Sequence, residues 1–119
     1  MSKESQKKIA AAFFKSSQGN EPVREWLKEM SRDDRRLIGT DIRTVEYGWP
    51  IGMPSCRPMG AGLYEVRTSL SGNRIARVMF CISAGNLVLL HGLIKKTGKT
   101  PRADLQLARK RQRIVEANR

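Results

Sequence analysis

Cysteine is nearly absent. Cys56 and Cys81 are the only two in 119 residues, and neither has a His or Asp beside it at metal-ligand spacing. A disulfide framework and a structural zinc site both need more than this. Histidine is scarcer still, with His91 alone, and no glycine-rich phosphate loop or serine elbow occurs. No metal and no cofactor is therefore expected. The longest apolar run, Leu87 to Leu90, falls far below the roughly 20 residues of a spanning helix. The first residues show no signal-peptide pattern, so no membrane partner and a cytoplasmic location are expected. Aromatic residues make up 6%, which leaves few platforms for stacking bases.

Acidic residues are the other deficit. Eleven Asp and Glu face 23 Lys and Arg, for a formal net charge of +12. Ordinary solubility needs far less charge and mixes the two signs, so this balance points to an anionic partner, nucleic acid first. The charge is uneven: residues 21–46 are close to neutral, whereas residues 95–119 hold nine Lys or Arg against two acids. With 39% hydrophobic residues, the chain suits one domain spanning 1–119 with a modest core.

Ile9 to Phe14 reads as a strand, although its three alanines make a helix nearly as favourable. Val23, Trp26, Leu27 and Met30 recur at helical spacing behind Pro22, which is tolerated in a first turn. A second helix begins at Ser31, an N-cap residue, with Asp33 and Asp34 at its positive end and Leu37, Ile38, Ile42 and Val45 as its apolar stripe. An antiparallel helix pair on one side of a sheet is expected. Gly48 and Pro50 end the second helix. Residues 49–62 then read as loop, with room for an edge strand around Cys56.

Three strand-like segments follow, Leu63 to Leu70, Arg74 to Ile82 and Asn86 to Ile94, joined by short turns and therefore forming an antiparallel meander. Alternation places Tyr64, Val66, Thr68 and Leu70 opposite Glu65 and Arg67, and Val78, Phe80 and Ile82 opposite Arg77 and Cys81. A last helix begins near Thr100 and Pro101, as N-cap and first residue, with Leu105, Ala108 and Val115 on its apolar side. Arg109, Lys110, Arg111 and Arg113 form its polar side. The expected class is α+β: two N-terminal helices packed on an antiparallel sheet, with a C-terminal helix.

The cations on or beside the meander are Arg67, Arg74, Arg77, His91, Lys95, Lys96 and Lys99. That inventory suits phosphate chemistry. Cleaving RNA through its own 2′-OH requires only proton removal, stabilisation of an anionic phosphorane and protonation of the leaving oxygen. Arg67, on a rigid strand, can fork against phosphate oxygens or pair with Glu65. Arg74 and Arg77 differ in parity and should face opposite sides of the sheet. Arg77, among apolar neighbours, is exposed, ion-paired or held for an anion. His91 suits an acid or base near neutral pH, or a hydrogen-bonded core position. Lys95, Lys96 and Lys99 either include a usable base or simply track phosphate. Trp49 is the leading candidate for an exposed stacking ring, with capping of the core as its other reading.

Several linked segments carry a resemblance: Glu46-Tyr47-Gly48-Trp49-Pro50, Gly62-Leu63-Tyr64-Glu65-Val66-Arg67, Arg74-Ile75-Ala76-Arg77-Val78, Leu89 to Thr97, and Lys99-Thr100-Pro101. Together they make residues 21–111 resemble the phage-derived HigB-like branch of the RelE/ParE toxin superfamily. The resemblance implies a RelE-like α+β fold, ribosome-dependent cleavage of mRNA, and neutralisation by a helix-turn-helix antitoxin of the HigA type. It points to Arg67, to Arg74 or Arg77, and to Lys96 or its neighbours; taken with the residues themselves, catalysis is expected at Arg67, Arg77, His91, Lys95 and Lys96. RNA and rRNA binding then fall to Arg74, Lys99, Arg109, Lys110, Arg111, Arg113 and Trp49. RelE carries a catalytic tyrosine near its C-terminus, whereas this chain has none after Tyr64, so that contribution is missing or is replaced, with His91 or a lysine able to compensate. Two alternatives share the expected features: a ParE-like DNA gyrase poison and a non-catalytic nucleic-acid-binding regulatory module.

Overall fold

The computed structural model describes residues 6–50, 56–96 and 98–118. Its elements are β1 (Ala10–Phe13), α1 (Pro22–Lys28), α2 (Arg32–Gly48), β2 (Cys56–Gly60), β3 (Leu63–Leu70), β4 (Arg74–Ser83), β5 (Asn86–Lys95) and α3 (Arg102–Ala117). The strands form one sheet in the order β1-β5-β4-β3-β2. Pairing is antiparallel throughout β2 to β5, and β1 runs parallel to β5. The α+β class and the meander expected from the sequence are present. The alanine-rich N-terminal segment resolves to a strand, and Cys56 opens an edge strand. The loop expected over 49–62 lies outside the described residues between 51 and 55.

The local signals explain the helices. Pro22 starts α1, where its missing N–H is harmless. The Ser31 hydroxyl accepts from the Asp34 N–H at 3.2 Å and so caps α2, with Asp33 and Asp34 beside its positive end. Val23 of α1 and Ile38, Ile42 and Val45 of α2 share a core with Val66, Ala76, Val78, Phe80, Leu87 and Leu89. Instead of pairing with each other, the two helices spread over the sheet, α2 against β3 and α1 against β5, because both apolar stripes find better burial on the strands. A second core on the opposite face joins Leu63, Met79, Cys81 and Leu90 to Ala108 of α3. The charged face of the sheet is therefore partly roofed.

Two local devices decide what this second face presents. Between Met79 and Phe80 the register with β5 shifts, so that Phe80 pairs with Leu89 but Met79 with His91, leaving Leu90 as an extra residue. Such a bulge resets the alternation. Leu89 stays in the core under α1 and α2, while Leu90 and His91 both turn toward α3. Gly92 then lies under Trp26, and a Cβ there would sit 2.4 Å from the indole Cζ3. The glycine admits the ring. At the sheet edge, the buried Glu46 carboxylate accepts from the Ala11 N–H at 2.6 Å and from Lys7 at 3.2 Å, which blunts β1 against further pairing.

Candidate functional site

The roof begins at Arg102 and covers the Leu63, Cys81 and Leu90 end of the sheet. The other end of the same face is left to cations. Strand register sets Arg57 of β2 beside Glu65, Arg67 beside Arg77, and Ile75 beside Lys95. Arg57, Arg67 and Lys95 keep solvent contact, and Lys96 and Lys99 beyond the strand are exposed.

Beneath them Glu65 and Arg77 are fully buried, at 0% exposure each. Thr100 joins the two. Its hydroxyl donates to Glu65 Oε2 at 2.5 Å and receives Arg77 Nη1 at 3.3 Å, while Arg77 Nη2 donates to the Gly98 carbonyl at 2.5 Å. Arg57 Nε lies 3.5 Å from Glu65 Oε1, a charge contact without hydrogen-bond alignment, since that oxygen and Arg77 Nε have no hydrogen-bond partner among the described residues. Burial pushes Arg77 below the usual arginine range; Glu65 opposes the shift, and Arg67 and Arg57 add to it. An arginine stays charged at neutral pH even so. Among the open outcomes for Arg77, burial with Glu65 nearby is the one observed, and direct access to a ligand is not. Thr100 corrects a second expectation. The cap position of α3 is Pro101 and has no side-chain cap, because the Thr100 hydroxyl is used by Glu65.

A second cluster forms where the bulge aims His91. Imidazole Nε2 lies 2.6 Å from Asp104 Oδ1, and Nδ1 lies 3.4 Å from Arg111 Nη1. A carboxylate only accepts, so the imidazole donates through Nε2 and leaves Nδ1 facing Arg111. Arg111 also donates to the Leu90 carbonyl at 2.8 Å and lies over the Phe14 ring, 5.6 Å from its centre. Burial lowers its pKa.

The remaining expected site residues divide by location. Arg74 faces α2, as its parity requires, and forms a two-pronged pair with Asp34 at 2.8 and 3.0 Å, which removes it from the cation group. Trp49 is half-buried and packs edge-on against Tyr64 and Phe80; its ring caps the core on the α2 side. Arg109 leaves the polar side of α3 to donate to the Gly60 and Met59 carbonyls at 3.0 and 2.8 Å. Buried Gln112 holds the same hairpin through the Ala61 carbonyl at 2.7 Å. Lys110 and Arg113 stay exposed, whereas Arg111 turns inward. Lys95 donates to the Lys99 carbonyl at 3.2 Å.

Sequence reasoning missed Arg57, Thr100 and Asp104 as members of these clusters. Arg57 lay in a stretch read as mostly loop, and Thr100 was assigned to a cap. Asp104 had only the generic signature of an acid in a first helical turn. The two thiols sit on opposite faces, Cys56 under α2 and Cys81 under α3, with burial pushing Cys81 up to about 11. Among the described residues no helix is long and apolar enough to cross a membrane.

The molecule is thus a small basic α+β domain that exposes cations at the unroofed end of one sheet face. A family model described as phage-derived Gp49-like protein (DUF891) matches residues 25–113, and the chain belongs to that family. No match was found among curated proteins.

Proposed function

We propose that this chain is the toxin of a type II toxin-antitoxin pair, an endoribonuclease of RelE-like fold and HigB-like type that cuts translated mRNA on the ribosome. The observation that carries the reading is the cation group at the unroofed end of the sheet. Arg67 projects there from a rigid strand without a carboxylate partner among the described residues, flanked by Arg57, Lys95 and Lys99. Membership of the Gp49-like family and the net charge of +12 support it.

In this reading the mRNA backbone lies across the sheet rim, and Arg67 stabilises the charge that builds on the scissile phosphate. Lys95 or Lys96 takes the proton of the attacking 2′-OH, and the other supplies further positive potential. His91, held through Nε2 by Asp104, acts as the imidazolium and gives its Nδ1 proton to the leaving 5′-oxygen. Arg77 acts from beneath by fixing Glu65 and the Gly98–Thr100 turn that bounds the rim. Lys110 and Arg113 on the outer face of α3 hold rRNA, and a HigA-type antitoxin silences the protein. Everything needed comes from side chains, with no metal or cofactor.

The commitment of Arg74, Arg77 and Arg109 to internal contacts favours one other reading, a nucleic-acid-binding module without catalysis. A defined translation system separates them. The toxin reading predicts a reporter mRNA shortened only when ribosomes are translating it. Intact mRNA together with blocked supercoiling by DNA gyrase would point to a ParE-like poison. Intact mRNA with salt-sensitive RNA binding would establish the binding module.

A further inference from the structure

β1 accompanies β5 only from Asn86 to Leu89, so among the described residues the outer side of β5 beyond Leu89 has no strand partner. A cleft of about 190 Å³ opens there, lined by Pro22, Val23 and Trp26 of α1, His91 and Gly92 of β5, and Arg111 of α3. Its lining contains none of the rim cations Arg57, Arg67, Lys95, Lys96 and Lys99, and it shares only His91 with the site proposed above.

Two unlike walls face each other across it. On one side three atoms of the Trp26 six-membered ring press onto Gly92, within 2.4 to 2.7 Å of where a Cβ would lie, and Pro22 and Val23 extend the apolar surface. On the other side stands the half-buried cation Arg111. Arg24, Arg57 and Arg74 each lie within reach of an acid, and Arg111 is paired with none among the described residues. Among the described residues the Leu90 carbonyl and the weakly accepting His91 Nδ1 are its hydrogen-bond partners and the Phe14 ring lies beneath it, so guanidinium donors remain for an anion. His91 between the walls is fixed through Nε2 by Asp104.

A ligand that satisfies both walls has a flat ring with an apolar face and carries an anionic group. At about 190 Å³ the space falls below the roughly 300–1,000 Å³ of drug-sized pockets and admits one ring system. We propose that this cleft is a subsite for a single nucleotide of an RNA strand, with the base lodged against Trp26 and Pro22 and its phosphate on Arg111 beside His91. The assignment rests on the RNA-directed reading above and specifies where one nucleotide of that RNA is held.

The test uses a fluorescein-labelled RNA hexanucleotide for affinity by anisotropy and the indole emission of a Trp49→Phe protein, in which Trp26 is the sole tryptophan, for location. Binding should quench Trp26 saturably. Arg111→Gln and Trp26→Leu should each weaken the hexanucleotide about tenfold, with Arg111→Lys recovering most of the loss and thermal melts reporting whether each variant is folded. AMP should quench weakly, and adenosine or inorganic phosphate alone hardly at all. The assignment is overturned if the hexanucleotide does not bind, if it binds without quenching Trp26, or if folded Arg111→Gln keeps full affinity. Tighter binding of AMP than of the hexanucleotide would make the occupant a free nucleotide and overturn it as well. mRNA cleavage that persists after any of these failures leaves the toxin reading standing. Arg111-dependent quenching without ribosomal cleavage does the reverse.

Discussion

Arg77 and Arg67 face each other across β3 and β4, and their substitution should fail in different ways. Taking Arg77 to alanine removes the buried positive charge near Glu65, leaving that carboxylate to Thr100 and the exposed Arg57, and opens the Gly98–Thr100 contacts. Removing one partner of a buried charge pair costs about 3–5 kcal/mol, so urea denaturation of Arg77→Ala should show a loss of that order. Inactivity of Arg77→Ala would then be a folding effect. Arg67→Ala breaks no ion pair and should stay within about 0.5 kcal/mol of the parent while losing activity. A comparable collapse of both variants would mean that Arg67 too is structural. The Asp34–Arg74 pair adds a pH dependence. Hydrogen bonds from Arg74, opposed in part by burial, hold the Asp34 carboxyl below its usual range. A lowered carboxylate pKa gives stability that is complete above the unfolded value, near 3.9, and is lost as pH falls through the folded one. Thermal melts of Asp34→Asn should therefore be lower than the parent near pH 7 and less sensitive to acid below about pH 4. Equal slopes in that acid range would contradict the assignment.

At the scale of elements, β5 does the most to shape the site. Its bulge at Leu90 turns His91 toward Asp104, and Gly92 makes room for Trp26. Gly92→Ala should destabilise the fold by about 1–3 kcal/mol, the usual range for overpacking. A smaller residue at position 26 should restore part of that loss in a double mutant. A neutral Gly92→Ala, measured by chemical denaturation, would show that the ring moves freely. Much of this level was legible in the sequence. Alternation put Arg67 and Arg77 on one face and Arg74 on the other, and Ser31 announced the start of α2. The parallel docking of β1 was not legible, because nothing local in three alanines and two phenylalanines selects the direction of a partner more than seventy residues away. Nor was the inward turn of Arg109 and Arg111. The polar side of a helix is solvent only until another element covers it, and here the β2–β3 hairpin and Phe14 take those guanidiniums. A strand glycine signalled a bulge only weakly, yet that bulge decides which way His91 points.

For the whole molecule, the sheet divides two kinds of work. The face under α1 and α2 holds the larger core and absorbs Trp49 and Arg74 into the scaffold. The opposite face carries α3 at one end and, at the other, the rim cations Arg57, Arg67, Lys95, Lys96 and Lys99, where an extended anionic strand has access. Composition alone pointed to an anionic partner; the fold says which cations are free to meet it, and it removes Arg74, Arg77 and Arg109 from that number. The most direct measurement of the central claim is mapping of mRNA 5′ ends in a purified translation reaction, with and without ribosomes, for the wild-type protein and Arg67→Ala. The account predicts new 5′ ends within the translated region that need both ribosomes and the intact arginine. An unchanged set of 5′ ends with active wild-type protein, or identical cleavage by Arg67→Ala, would contradict it.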